Sequence, residues 1–194
     1  MGNTNRRQQI LEALALMLQN NPGDRITTAN LAREVGVSEA ALYRHFPSKA
    51  KMLEGLIIFA EETLFGRINL IVSEQAEAYD RCHDITFLVL SFVERNPGFG
   101  RLFVGDALQG ETERLRARMH QLLNRIETQL RLVLREHNTR QPTMPTIQIN
   151  ASANMLLAYT EGRITQFVRS NFSDVPTKDW EEQWRLLGGS LFGN

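Results

Sequence analysis

The stretch from Ile26 to Leu53, ITTANLAREVGVSEAALYRHFPSKAKML, decides how this chain is read. Thr27 is an N-capping residue type, Leu31 and Val35 stand four apart behind it, and Gly36 falls where a left-handed residue ends a short helix. Ser38 then caps a second short helix, which stops before Pro47 because proline disfavours a helical conformation at Phe46. Ser48 opens a further helix. Two short helices joined by a glycine-containing turn form a helix-turn-helix, whose second helix enters the DNA major groove. Ala32, Val35, Val37 and Leu42 seat the two helices against each other, and the outward amides that start at Ser38 can receive a phosphate.

Around the buried Leu42, the residues Glu39, Ala40, Ala41, Tyr43 and Arg44 are left to meet base edges. Arg44 suits guanine O6 and N7, Ala40 or Ala41 suits a thymine methyl, and Glu39 can accept from cytosine N4. Arg6, Arg7, Thr27, Thr28, Tyr43, His45 and Lys49 are better suited to backbone phosphates, which position a protein without reading sequence. For Arg44 too a phosphate is the commoner partner.

Working outward, the whole chain has 194 residues with 22 Lys plus Arg against 22 Asp plus Glu, and 42% hydrophobic residues. That composition excludes a disordered or fibrous chain. The zero net charge is unevenly spread: residues 1–51 hold seven basic and four acidic side chains, a balance of +3, which leaves −3 on the remainder. A cationic end on an anionic body suits a protein that presents one end to a polyanion. Cys82 is the single cysteine, which rules out an internal disulfide, and with no apolar leader the chain reads as cytoplasmic. The longest uncharged stretch, 141–160, contains Pro142, Pro145, Gln148, Asn150 and Asn154, a poor composition for a membrane span.

All six prolines fall where apolar periodicity breaks, which predicts an all-α chain of about nine helices. The first runs from Arg6 to Asn20, ending at the 21–24 turn. The fourth runs from about Lys49 to Glu74, with Met52, Leu53, Leu56, Phe59, Ala60, Leu64, Ile68 and Ile71 inward. Cys82 to Arg95 is apolar enough for a buried strand, but its surroundings favour a helix. A sixth helix starts at Asn96-Pro97, and a seventh spans Glu111 to about Asn138. After the Thr139–Thr146 loop comes an eighth, with Met155, Leu156, Tyr159, Phe167 and Val168 on its apolar face; Lys178 to Leu191 forms the last. Ala151, Ala153, Ala158 and Gly162, with Trp180 and Trp184, suit a dimer seam built by the last two helices. The expected division is a helix-turn-helix domain over 1–51 and a regulatory and dimerisation body over 52–194.

Catalysis has no motif here: no Gly-rich phosphate loop, HExxH or GxSxG, and no metal-spaced acidic cluster. Glu61, Glu62, Asp179, Glu181 and Glu182 read as solvated helix faces, and His83, His120 and His137 are too scattered for zinc. No cofactor is expected.

The run Leu42-Tyr43-Arg44-His45-Phe46, followed by Ser48-Lys49 and Leu53 and preceded by Ile26-Thr27-Thr28 and Leu31 to Ser38, resembles the TetR family of bacterial DNA-binding proteins. The resemblance implies a three-helix DNA-binding end, a larger helical body that dimerises through its last two helices, and a pseudo-palindromic site. It also implies phosphate contacts at Thr28, Tyr43, His45 and Lys49 and base contacts from Glu39 to Arg44. Further runs, Arg67-Ile68-Asn69-Leu70-Ile71, Glu94-Arg95-Asn96-Pro97-Gly98, Arg125-Ile126-Glu127, Gln129-Leu130-Arg131 and Phe167-Val168-Arg169-Ser170, resemble a branch of that family with a second partner. Its members bind sites across the chromosome and, when bound, antagonise assembly of the tubulin-like division GTPase FtsZ. That resemblance places the FtsZ C-terminal tail between the fourth and fifth helices, against Phe59, Arg67, Leu88, Arg95 and Asn96. Phe59 and Leu88 offer apolar anchors, Arg67 and Arg95 cations for a carboxylate, and Ser91 is the polar interruption of that surface. The alternative is a ligand-responsive TetR-type repressor with a pocket near Tyr159, His120 and Asn124.

Overall fold

Glycine, proline and capping hydroxyls cut the chain into helices at the places their stereochemistry dictates. The structure is a computed structural model and describes residues 2–20, 26–142 and 146–192. Among these are nine α-helices, a 3₁₀ turn at Asp106–Leu108, and no strand. The helices are α1 (Gly2–Asn20), α2 (Thr28–Val35), α3 (Glu39–His45), α4 (Lys49–Glu74), α5 (Ala78–Arg95), α6 (Pro97–Phe103), α7 (Glu113–Arg140), α8 (Thr146–Arg169) and α9 (Trp180–Phe192). The turn expected at 21–24 and the middle of the Thr139–Thr146 loop lie outside the described residues.

Helix ends differ from the periodic reading where polar residues carry no period. The first and fifth helices begin at Gly2 and Ala78 instead of Arg6 and Cys82. The seventh begins at Glu113 instead of Glu111, because Gly110 takes a φ of +76° and Thr112 is extended. The last begins at Trp180, because Asp179 has a φ of +55° and interrupts the helix. The apolar run in α5 is helical, with Ile85, Val89, Leu90 and Val93 buried at helical spacing.

Ile10, Leu14 and Leu18 of α1, Leu56, Leu64 and Ile68 of α4, Ile85 and Val89 of α5, Leu122 and Ile126 of α7, and Leu156 of α8 belong to one continuous core. α1 packs on α6, α4 on α5 and α7, and α7 on α8. Three features tie the helix-turn-helix end to the rest. Gly98 of α6 lies so close to α1 that a Cβ there would stand 2.1 Å from the Ala15 carbonyl oxygen. Arg101, only 3% exposed, donates from Nη1 to the Leu18 carbonyl at 3.2 Å and pairs through Nε with Asp106 at 2.5 Å. Lys49 pairs with Glu111 at 2.7 Å.

Three expectations are corrected. Glu61, read as solvated, is buried at the α4–α7 contact and paired with both Arg118 and Arg125, and the Arg125 guanidinium stacks 4.1 Å from the Phe65 ring centroid. It sits beside the inward Ala60 and Leu64, so its carboxylate needs those partners. Glu62, one residue on, is exposed. Phe59 and Met155, assigned by spacing to inner faces, are exposed because their helix faces turn outward there.

Candidate nucleic-acid interface and partner surface

The candidate reading helix, α3, is set by two caps and a glycine. Thr27 accepts from the Asn30 amide at 3.2 Å and starts α2. Gly36, at φ 72° and ψ 37°, ends α2 in the left-handed region, where a Cβ is disfavoured, and returns its N–H to the carbonyls of Ala32 and Arg33. Ser38 is extended and accepts from the Ala41 amide at 3.2 Å, which starts α3. Leu31, Ala32, Leu42 and Phe46 are buried beneath the turn. Burial of Leu42 leaves Glu39, Ala40, Tyr43 and Arg44 exposed, with Ala41 and His45 half-buried beside them.

Several residues expected to touch phosphate already have partners. Arg7 donates to the His45 carbonyl at 2.6 Å, its guanidinium 4.1 Å from the Phe46 ring centroid, and so braces the end of α3 against α1. Lys49 donates to the Ile26 carbonyl at 3.3 Å besides pairing with Glu111. Thr28 donates its hydroxyl to Glu39 at 2.7 Å and accepts from the Tyr43 hydroxyl at 3.3 Å. Arg6 is exposed, as is Thr27. Local spacing does not reveal the Thr28–Glu39 and Lys49–Glu111 pairs, because each joins residues on different helices or loops. Behind the interface, the Lys51 ammonium beside Glu54 holds that carboxyl below its ordinary value.

The second surface runs along α4 and α5, which pack against each other. Phe59 is 36% exposed, and its ring centroid lies 5.9 Å from that of Phe99, which in turn is 5.1 Å from Phe92. Sequence reading missed this aromatic backing, since Phe99 belongs to another helix. Arg67 is exposed two turns further along α4, and Arg95 is exposed near the end of α5. Leu88 is half-buried against the core; Asn96 is half-buried and donates to the Phe92 carbonyl at 2.8 Å. Ser91 costs this surface little, because its hydroxyl bonds back to the Phe87 carbonyl at 2.7 Å. The pocket residues of the alternative reading have other partners: Tyr159 bonds Gln183, and exposed His120 and Asn124 bond each other at 3.0 Å.

Residues 10–56 match the family described as bacterial regulatory proteins, tetR family, and residues 76–191 match the tetracyclin repressor-like C-terminal domain of SlmA-like type. The nucleoid occlusion factor SlmA of Colwellia psychrerythraea is 57% identical over 94% of this chain and 92% of its own. That of Alteromonas mediterranea is 58% identical over 93% of each. The chain belongs to the TetR family, in its SlmA branch. Solved regulators share the fold at much lower identity. The fatty acid degradation regulator FadR of Bacillus halodurans superposes with a TM-score of 0.83 over 96% of each chain at 15% identity. FadR of Bacillus subtilis, solved with stearoyl-CoA, gives 0.80 over 93% of this chain and 96% of its own at 16%. Among the described residues no helix is long and apolar enough to cross a membrane.

Proposed function

We propose that this TetR-family chain is a homodimeric nucleoid occlusion factor that binds pseudo-palindromic chromosomal sites and, when bound, antagonises FtsZ ring assembly over the nucleoid. The observation that carries this reading is the reach of the similarity: 57% identity to a nucleoid occlusion factor spans the body as well as the DNA-binding end. A DNA-binding end alone would fit any repressor of the family. In this reading residues 1–51 are the DNA-binding unit and 52–194 the body.

Exposed residues of α3 face the bases, and Arg6, Arg7, Thr27, Thr28, Ser38, Tyr43, His45 and Lys49 hold phosphates. Two copies of α3 enter successive major grooves about 34–36 Å apart. The dimer seam is α8 and α9, where Ala151, Ala158 and Met155 are exposed, a Cβ at Gly162 would meet open space, and Leu186 is 74% exposed, whereas Ala153, Trp180 and Trp184, expected in that seam, are buried in the chain's own core. The FtsZ tail lies along Phe59, Leu88, Arg67, Arg95 and Asn96, an apolar pair flanked by cations.

FtsZ sedimentation with and without a bound duplex tests the whole. Duplex-bound protein should reduce the polymer pellet more than free protein does. Tyr43→Ala should weaken DNA binding and leave dimerisation intact, whereas Phe59→Ala or Arg67→Ala should spare DNA binding and weaken the effect on FtsZ. Groove variants that lose DNA binding and nothing else would refute the FtsZ half. DNA affinity should fall with salt, at a logarithmic slope of about −0.9 per phosphate contacted.

A further inference from the structure

Glu39 is an acid on the one face that must approach a polyanion, and its surroundings suggest a use for it. Thr28 gives its hydroxyl proton to Glu39 Oε2 at 2.7 Å and accepts the Tyr43 hydroxyl at 3.3 Å, so a relay runs from Tyr43 through Thr28 to Glu39 across the turn. Glu39 and Tyr43 are exposed and Thr28 half-buried, so the relay lies open to DNA. A hydroxyl has one proton to donate. Thr28 therefore cannot donate to a phosphate and to Glu39 together. When a phosphate accepts the Thr28 hydrogen bond instead, Glu39 loses that donor and is left a pure acceptor.

The major groove offers two amino donors to such a group, cytosine N4 and adenine N6. Adenine N6 is flanked by acceptors on both sides, its own N7 and the paired thymine O4, which repel a carboxylate, whereas cytosine N4 has an acceptor on one side only, the paired guanine O6. Guanine and thymine present only acceptors at the equivalent positions. We propose that Glu39 is a specificity-determining residue that reads cytosine, and that Thr28 makes this reading conditional on backbone contact by turning its one hydrogen bond from Glu39 to a phosphate. At a site without the cytosine, either Glu39 keeps Thr28 and the phosphate contact is lost, or Glu39 faces acceptors unpaired. Both outcomes penalise the wrong sequence. The inference rests on the DNA-reading orientation of α3 set out above.

The test is selection of sites from a random duplex pool by the full-length chain, followed by affinity measurements. Wild-type protein should enrich a cytosine at one position of each half-site, worth about tenfold in affinity. Glu39→Ala should lose that preference and keep the rest of the pattern. The relay has its own readout on a duplex lacking the cytosine. Glu39→Ala frees Thr28 for phosphate, whereas Glu39→Gln retains an acceptor for it, so the alanine variant should bind several-fold more tightly than the glutamine variant. In a Thr28→Val background that gap should vanish. A Glu39→Ala pattern identical to the wild type at every position overturns the cytosine reading, and a gap that survives Thr28→Val overturns the relay. If the wild-type chain selects no pattern, the sequence-specific binding proposed above falls, and this proposal with it.

Discussion

Cys82 is fully buried, and desolvation pushes its thiol up to about 12, against a small opposing effect of Arg81. Only the thiolate is nucleophilic, so native protein should resist a disulfide exchange reagent that titrates one thiol per chain after unfolding in urea. Glu161 behaves differently. Burial raises its carboxyl above the ordinary 4.5; nearby His120 opposes the shift and Glu127 adds to it. A carboxyl whose value is higher in the folded than in the unfolded chain contributes stability that is present below the unfolded value and lost as pH rises through the folded one. Glu161→Gln should therefore be more stable than wild type near neutral pH, an advantage that disappears at about pH 4. Urea midpoints at the two pH values check this. The burial of Cys82 follows from its place in an apolar helical segment, whereas the environment of Glu161 is not legible in the sequence, since it depends on which helices close over the residue. Glu61 is a further case: its sequence neighbours suggested solvent, and only the packing of α7 brought Arg118 and Arg125 to it.

At the scale of elements, the helix-turn-helix was readable because its determinants are local. Thr27, Gly36, Ser38 and Ser48 act on backbone within a few residues, and each occupies the expected capping position. Gly36 allows a clean test. A Cβ there would have nothing within 4 Å, so the cost of Gly36→Ala is the left-handed conformation alone, about 1–2 kcal/mol. Gly36→Asn should cost less, because Asn tolerates that region. Thermal unfolding of both variants gives the comparison. The apolar run in α5 was ambiguous for the opposite reason: a segment apolar on every side carries no period, and neighbouring helices decide its form. The exposed residues proposed to face DNA were legible as types on the outer side of α3, but their partners were not, since Thr28 reaches Glu39 across the turn.

Across the whole molecule, the DNA-binding end and the body meet at a buried cation. Arg101→Met should leave the Leu18 carbonyl and part-exposed Asp106 without that partner and destabilise the chain by about 2–4 kcal/mol. Urea titration at fixed protein concentration measures this, since the stability of the proposed dimer would depend on concentration. The contact was invisible in the sequence, where 83 positions separate Arg101 from Leu18. Gly98 has a wider consequence. Its missing methyl group lets α6 touch the Ala15 carbonyl, so the stance of each reading helix is gauged by bare backbone. In the proposed dimer such a gauge acts twice, as the two legs of a calliper share a hinge. Widening it by one carbon should alter the spacing of the two half-sites that the protein prefers, while leaving the bases chosen within each half-site unchanged.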